Sequence, residues 1–160
     1  MKNISFVDRG TAKRLIRDGY FDRNICDLIS ISDTNSEAAE MRELWLDNKI
    51  DNNAAIFLRF ADIDDASSGF HEQKAKRVID FLQESYVKRK DVVVHCFAGI
   101  SRSGAVAKFA NEYWGLGDQY LEDYRGHNIH IYYTLLEAAN VPTQRQYYAE
   151  LEGKYGREKN

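Results

Sequence analysis

Apolar positions along this chain switch between a period of two, unbroken apolar runs and a period near 3.6. Each switch marks an element. "ISFVDR" (4–9) reads as a short strand and "TAKRLIRDG" (11–19) as a helix with Thr11 placed to cap it. "ICDLISIS" (25–32) is a β-rich run, and Ser36 opens a helix over 36–49. "AAIFLRFA" (54–61) gives another strand, and 70–89 a helix with Ala75, Val78, Ile79 and Leu82 on one stripe. "VVVHC" (92–96) is apolar and β-branched throughout, the pattern of a strand buried on both faces of a parallel sheet. Beyond Arg102 the chain reads helical over 103–114, 117–125, 128–139 and 143–155. Strands alternating with helices predict an α/β fold: a central, mostly parallel sheet of about four to five strands flanked by helices. In such sheets ligands bind beyond the carboxyl ends of the strands. Cys96, last residue of the most apolar strand, sits at such an end.

Composition narrows this without redirecting it. At 160 residues the chain is expected to form one domain, 1–160. A formal net charge of -3 argues against a broad nucleic-acid-binding face. No run is long enough to span a membrane, and "MKNISFVDRG" lacks the apolar stretch of a signal peptide. Two cysteines, Cys26 and Cys96, make no disulfide framework and suit a reducing interior, so the cytoplasm is the expected compartment.

The segment "CFAGISR" (96–102) carries the chemistry. Five residues between Cys96 and Arg102 (Phe97, Ala98, Gly99, Ile100, Ser101) can close the backbone into a ring with its N–H groups inward. Gly99 supplies a dihedral that other residues resist. Ser103 and Gly104 start the next helix. Inward N–H groups at a helix N-terminus bind anions, and Arg102 adds a planar fork that grips two oxygens of a phosphate. The same field lowers the Cys96 pKa and favours the nucleophilic thiolate. The plainer reading, a buried cysteine beside a capping arginine, leaves the glycine, the serine and the helix start unexplained. A sulfurtransferase loop is nearer, but it closes over fewer residues and suits a single sulfur better than a phosphate.

With His95 in front and Ser103 behind, "HCFAGISRSG" resembles the signature of the cysteine-dependent protein tyrosine phosphatase superfamily at every position. From Val92 through the following helix the chain is similar to its compact, dual-specificity-like members from bacteria and phages. The resemblance implies that Cys96 takes the phosphoryl group as a thiophosphate while Arg102 binds it. It implies that Ser103 helps the thiolate leave during hydrolysis, and that His95 orients the cysteine without serving as the base. No metal or organic cofactor is implied. The superfamily also supplies a general acid, an aspartate some thirty residues before the cysteine, to protonate the leaving oxygen. "FADIDD" (60–65) offers Asp62, Asp64 and Asp65 there. Spacing leaves all three open. The strand end near Ala61, and the likeness of "Asp-Ile" at 62–63 to an element of related bacterial enzymes, favour Asp62. The "DDASSGF" stretch behind it reads as a flexible loop able to close over substrate.

The remaining candidates have ordinary explanations. Cys26 reads as inert β-strand packing, with a redox partnership with Cys96 as its rival. His127 and His130 lack a third ligand at a metal-binding spacing. Asn128 resembles an asparagine that braces the phosphate loop in these enzymes. The tyrosines of "QYLEDYR", "IYYTLL" and "QRQYY" read as packing. The expected partner is a phosphorylated protein carrying phosphotyrosine, with phosphoserine and phosphothreonine tolerated. A loop without lysine makes inositol headgroups a poorer fit. The rival readings are an RNA 5′-phosphate end or a small phosphorylated metabolite as substrate, and a phosphate-binding module without turnover.

Overall fold

The structure, a computed structural model, describes Met1 and residues 3–155, with backbone only for 144–148. Tyr147 and Tyr148 of the expected tyrosine packing therefore lie outside the described side chains. Four strands form one sheet: β1 (Ile4–Val7), β2 (Cys26–Ser32), β3 (Ala55–Arg59) and β4 (Asp91–His95). Their order is β1-β4-β2-β3, every pairing is parallel, and β3 lies at one edge. The helices are α1 (Arg9–Arg17), α2 (Asn35–Asp47), α3 (Glu72–Val87), α4 (Arg102–Tyr113), α5 (Gln119–Asp123), α6 (Ile129–Ala138) and α7 (Gln144–Tyr155). Short 3-10 turns, Asn52–Ala54 and Ala66–Ser68, flank β3 and its following loop. No helix among the described residues is long and apolar enough to cross a membrane.

Strand alternation divides the core between the two faces of the sheet. Cys26, Leu28, Ala55 and Val93 pack with Ala12, Ile16, Phe21, Met41 and Trp45 of the α1–α2 side. Ile4, Ile29, Ile31, Leu58, Val92 and Val94 pack with residues of α3, α4 and α6, among them Leu82, Phe109 and Leu135. β2 is buried along all seven residues, so its polar side chains need partners inside. Asp27 accepts from the Ser85 hydroxyl at 2.7 Å and the Lys90 ammonium at 3.2 Å, and Ser30 meets His95.

The starts of α1 and α2 lie upstream of the expected ones. The N-cap of α1 is Asp8, whose carboxylate accepts from Thr11 N, so Thr11 is the capped residue and not the cap. Thr34, not Ser36, caps α2. β1 stops at Val7, short of the expected end, while β2 ends at Ser32 as expected, and in both places an earlier side-chain oxygen reaches the orphan amide first.

Candidate active site

The β4 strand delivers Cys96 to the carboxyl end of the sheet, and the loop 97–101 returns the chain into α4. Cys96 is 2% exposed. Phe97, Ala98 and Ile100 turn outward into solvent, which leaves the loop backbone to face the thiol. Gly99 has φ +67, and a Cβ there would lie 2.4 Å from Asp8 N and 2.5 Å from the Val7 carbonyl carbon. The loop is therefore pressed against the junction of β1 and α1, where Arg9 N also donates to Phe97 O at 3.2 Å. Only a residue without a side chain fits both the dihedral and the gap.

Burial pushes the Cys96 thiol up, but hydrogen bonds outweigh it. The Ser103 hydroxyl, 3.1 Å from Sγ, and the backbone N–H groups of Ser103, Ile100 and Gly99 hold the thiol below its ordinary value. These are inward loop amides at the start of α4, the arrangement that stabilises a thiolate.

Behind the thiol, His95 is fully buried. Its Nδ1 lies 3.3 Å from the Cys96 carbonyl, which can only accept, so the ring donates there and Nε2 accepts from the Ser30 hydroxyl at 2.6 Å. Burial, with Arg9 and Arg102 nearby, lowers its pKa to about 4. The ring is thus neutral and fixed in one tautomer.

Arg102 is 4% exposed. One terminal nitrogen, Nη1, donates to Asp33 Oδ1 at 2.6 Å and to Phe60 O at 2.8 Å, which fixes the plane of the guanidinium. Its Nε is buried with no partner among the described residues. A buried, orphaned donor of a cation is costly unless a ligand answers it.

The three acidic candidates separate cleanly. Asp62 reaches the loop: its Oδ1 accepts from the Ser101 hydroxyl at 2.7 Å and from Asn128 Nδ2 at 2.8 Å. Asp64 points elsewhere, accepting from Ile129 N at the start of α6 and from Lys154 and Tyr155 of α7. Asp65 caps the Ala66–Ser68 turn through Ser67 N. Asn128 joins the parts. Its N–H donates to Ser101 O at 3.0 Å, its amide nitrogen also to Ile63 O at 3.1 Å, and its Oδ1 caps α6 through Ile131 N.

Cys26 lies outside this assembly. It is paired in register with Asp91, five residues before Cys96 along β4. At the rise of a strand that separates the two α-carbons by roughly 16 Å or more, far beyond disulfide reach. Burial pushes its thiol up to about 12. His130 Nε2 bonds Phe70 O at 2.9 Å, and no group of metal-ligating side chains forms among the described residues.

Four residues at the site were not singled out from the sequence: Asp33, Ser30, Tyr124 and Asp8. The Tyr124 hydroxyl donates to Ile100 O at 2.8 Å, and a Cβ on Gly104 would lie 2.6 Å from its ring. Burial, Tyr120 and the Cys96 thiolate raise its pKa. The available signal was positional: Asp33 follows β2 directly, at the same end of the sheet as Cys96.

No protein-family model matches the chain, and no curated protein sequence matches it. Solved structures do. A crystal structure of Cydia pomonella PTP-2 phosphatase is similar with a TM-score of 0.56 at 16% identity, over 96% of this chain and 86% of that one. A crystal structure of PTPMT1 in complex with PI(5)P is similar with a TM-score of 0.53 at 15% identity, over 94% of this chain and 96% of that one. PTPMT1 alone matches with the same TM-score, 0.53, and the same identity, 15%. The chain therefore has the fold of these protein tyrosine phosphatase-like proteins.

Proposed function

We propose that this protein is a cysteine-dependent phosphomonoesterase acting on phosphotyrosine-containing proteins. The observation that carries it is the pairing of Cys96, lowered by loop amides and Ser103, with the buried and unanswered Nε of Arg102. A phosphate dianion seated in the loop would satisfy both the inward N–H groups and that donor.

The steps follow from the atoms present. The Cys96 thiolate attacks phosphorus in line with the ester oxygen, forming an S–P bond as the P–O bond breaks. Asp62, in its protonated form, gives its proton to the leaving oxygen. Loop amides and Arg102 hold the charge of the transferring group throughout. In the second half, water attacks phosphorus, Asp62 takes a proton from it, and the thiolate departs with the Ser103 hydroxyl donating to it. His95 holds the Cys96 carbonyl, and through it the turn on which the sulfur sits. None of this calls for a metal or an organic cofactor.

The rim supports an aromatic phosphoester. Phe97 is 64% exposed, Ile100 54% and Ile63 41%, so the mouth presents apolar surface to the group that carries the phosphate. A sugar phosphate would leave that surface uncovered. The PTPMT1 structure holds PI(5)P, but the loop here offers Phe97, Ala98 and Ile100 and no lysine for further headgroup phosphates.

The test is turnover by purified protein on tyrosine-, serine- and threonine-phosphorylated peptides, a phosphoinositide, a 5′-phosphorylated oligoribonucleotide and sugar phosphates. The expected order puts phosphotyrosine first in kcat/KM. Cys96→Ser is expected to abolish turnover of every substrate and still bind vanadate. Turnover in that variant would overturn the covalent mechanism, and a sugar phosphate turned over best would overturn the substrate class.

A further inference from the structure

A second concentration of positive charge lies away from Cys96, across the open edge of the sheet. A groove of about 370 Å³ is lined by Asn35, Ala38, Ala39 and Arg42 of α2, Phe57 to Arg59 of β3, and Lys74 and Arg77 of α3. The α2 residues fall at i, i+3, i+4 and i+7, hence on one face, and the two alanines leave the floor open. Four cations line it and no carboxylate does. None of the four makes an ion pair among the described residues. In a chain of net charge -3 this is a local excess that no carboxylate among the described residues pairs with. Lys74 feels it directly: burial lowers its pKa first, and repulsion from Arg59 and Arg77 lowers it further. Its ammonium is held by Arg59 O at 2.6 Å and Gly69 O at 3.0 Å, so it is fixed on the groove wall.

The groove and the phosphate loop share one end of the sheet. Arg59 is the last residue of β3 and stands opposite Ser32, two residues beyond the level at which Ser30 faces His95. Laterally, β4 and β3 are separated by β2 alone, so the two sites are two strand spacings apart, roughly 10 Å. The chain between them, Phe60 to Asp62, leads from the groove directly to the carboxylate over the loop.

We propose that this groove is a second anion-binding subsite, which takes acidic side chains of the phosphoprotein segment whose phosphorylated residue enters the Cys96 loop. It rests on the phosphatase reading for the second half of that statement only. Three guanidinium forks suit carboxylates in bidentate contact. The unpaired edge of β3 suits an extended peptide, which can lie against it in the manner of an added strand. The aromatic ring among the groove's lining residues, Phe57, has the Arg42 guanidinium 5.4 Å from its centroid, which occupies a face on which a base would stack. Extended peptide rises about 3.3 Å per residue, so the acidic positions fall some three to five residues from the phosphorylated one.

The test uses the full chain and tyrosine-phosphorylated peptides that differ only in carrying glutamates or serines at those positions. The acidic peptide is expected to have a KM lower by about tenfold at low salt, with kcat unchanged. Arg59→Gln with Arg77→Gln should erase that difference and leave p-nitrophenyl phosphate turnover unaltered. Equal KM values for the two peptides, or an advantage that survives the double variant, would overturn the proposal. A second measurement reads the groove without catalysis: an NMR titration with the unphosphorylated acidic peptide. Shifts of the amides over 35–42 and 57–59, absent in the double variant, support the site even if no phosphopeptide is hydrolysed, in which case the phosphatase reading fails alone. No shifts there would overturn the site whatever the kinetics show. Stronger competition by a 5′-phosphorylated oligonucleotide than by the peptide would assign the groove to nucleic acid and overturn it as well.

Discussion

Three carboxylates within four residues, Asp62, Asp64 and Asp65, have three different surroundings, and those surroundings set three different expectations. Of the three, Asp62 lies within hydrogen-bond reach of the Cys96 loop, through Ser101. Asp62→Asn is expected to cost about 10²–10⁴-fold in kcat on phosphotyrosine, the usual size of a lost general acid. On an aryl phosphate whose phenoxide leaves unaided the loss should shrink toward nothing. Asp65→Asn should leave both rates near wild type, because its carboxylate caps a turn. The leaving-group dependence appearing at Asp65 and not at Asp62 would reassign the acid. At this scale the loop was legible because its chemistry is contiguous: thiol, glycine, guanidinium and hydroxyl follow one another in "CFAGISRS". Asp33, Ser30 and Tyr124 were not legible, because topology and not sequence brings them there. Asp33 and Ser30 reach the site only because β2 lies beside β4. Tyr124 does so because Gly104 leaves room for its ring.

The elements were legible wherever the hydrophobic pattern was long. The run at 92–95 could only be an interior strand, and β4 is flanked by β1 and β2. Their ends were not, because "DRGT" and "DTNS" each offer more than one capping oxygen, and the choice depends on where the strand before them stops. The tie between α7 and the acid loop was invisible for the same reason: Asp64 and Lys154 are ninety positions apart. Asp64 accepts from Ile129 N at 3.0 Å and the Tyr155 hydroxyl at 2.5 Å, and pairs with Lys154, so α7 and α6 together pin the loop that carries Asp62. Lys154→Met with Tyr155→Phe should loosen that loop without touching the thiol. The expected result is a kcat on phosphotyrosine reduced about three- to tenfold, the size of a modest loss of positioning, with an activated aryl phosphate unaffected. An equal loss on both substrates would mean that the tie supports the fold and not the acid.

For the molecule as a whole, two imidazoles held neutral inside it contribute to acid stability. Burial lowers His95 to about 4, with Arg9 and Arg102 acting in the same direction. Burial also lowers His127 to about 4, with Lys108, Arg125 and Lys154 adding to it although the Glu150 carboxylate lies 3.7 Å away. Both folded values lie below the unfolded one of about 6.5, so below that pH the unfolded chain binds protons that the folded chain refuses. Their contribution is whole above pH 6.5 and is lost as the pH falls toward 4. Each shift corresponds to on the order of 3 kcal/mol, a large share of the typical 5–15 kcal/mol of a domain. Asp64 cannot produce this slope. Burial raises it, but its partners outweigh that and hold it below the ordinary carboxylate range. Its contribution is therefore kept down to about pH 4 and lost only below. Urea unfolding at intervals from pH 7.5 to 4.5 should show stability falling steadily from about pH 6.5, with a slope approaching two protons. His127→Gln, which places no titrating group in that pocket, should reduce the slope toward one while leaving phosphotyrosine turnover at pH 7 near wild type. A stability that stays flat down to pH 5 would mean that neither ring is held neutral in the folded state. For His95 that would place a second donor against the Ser30 hydroxyl and a positive charge directly behind the thiolate.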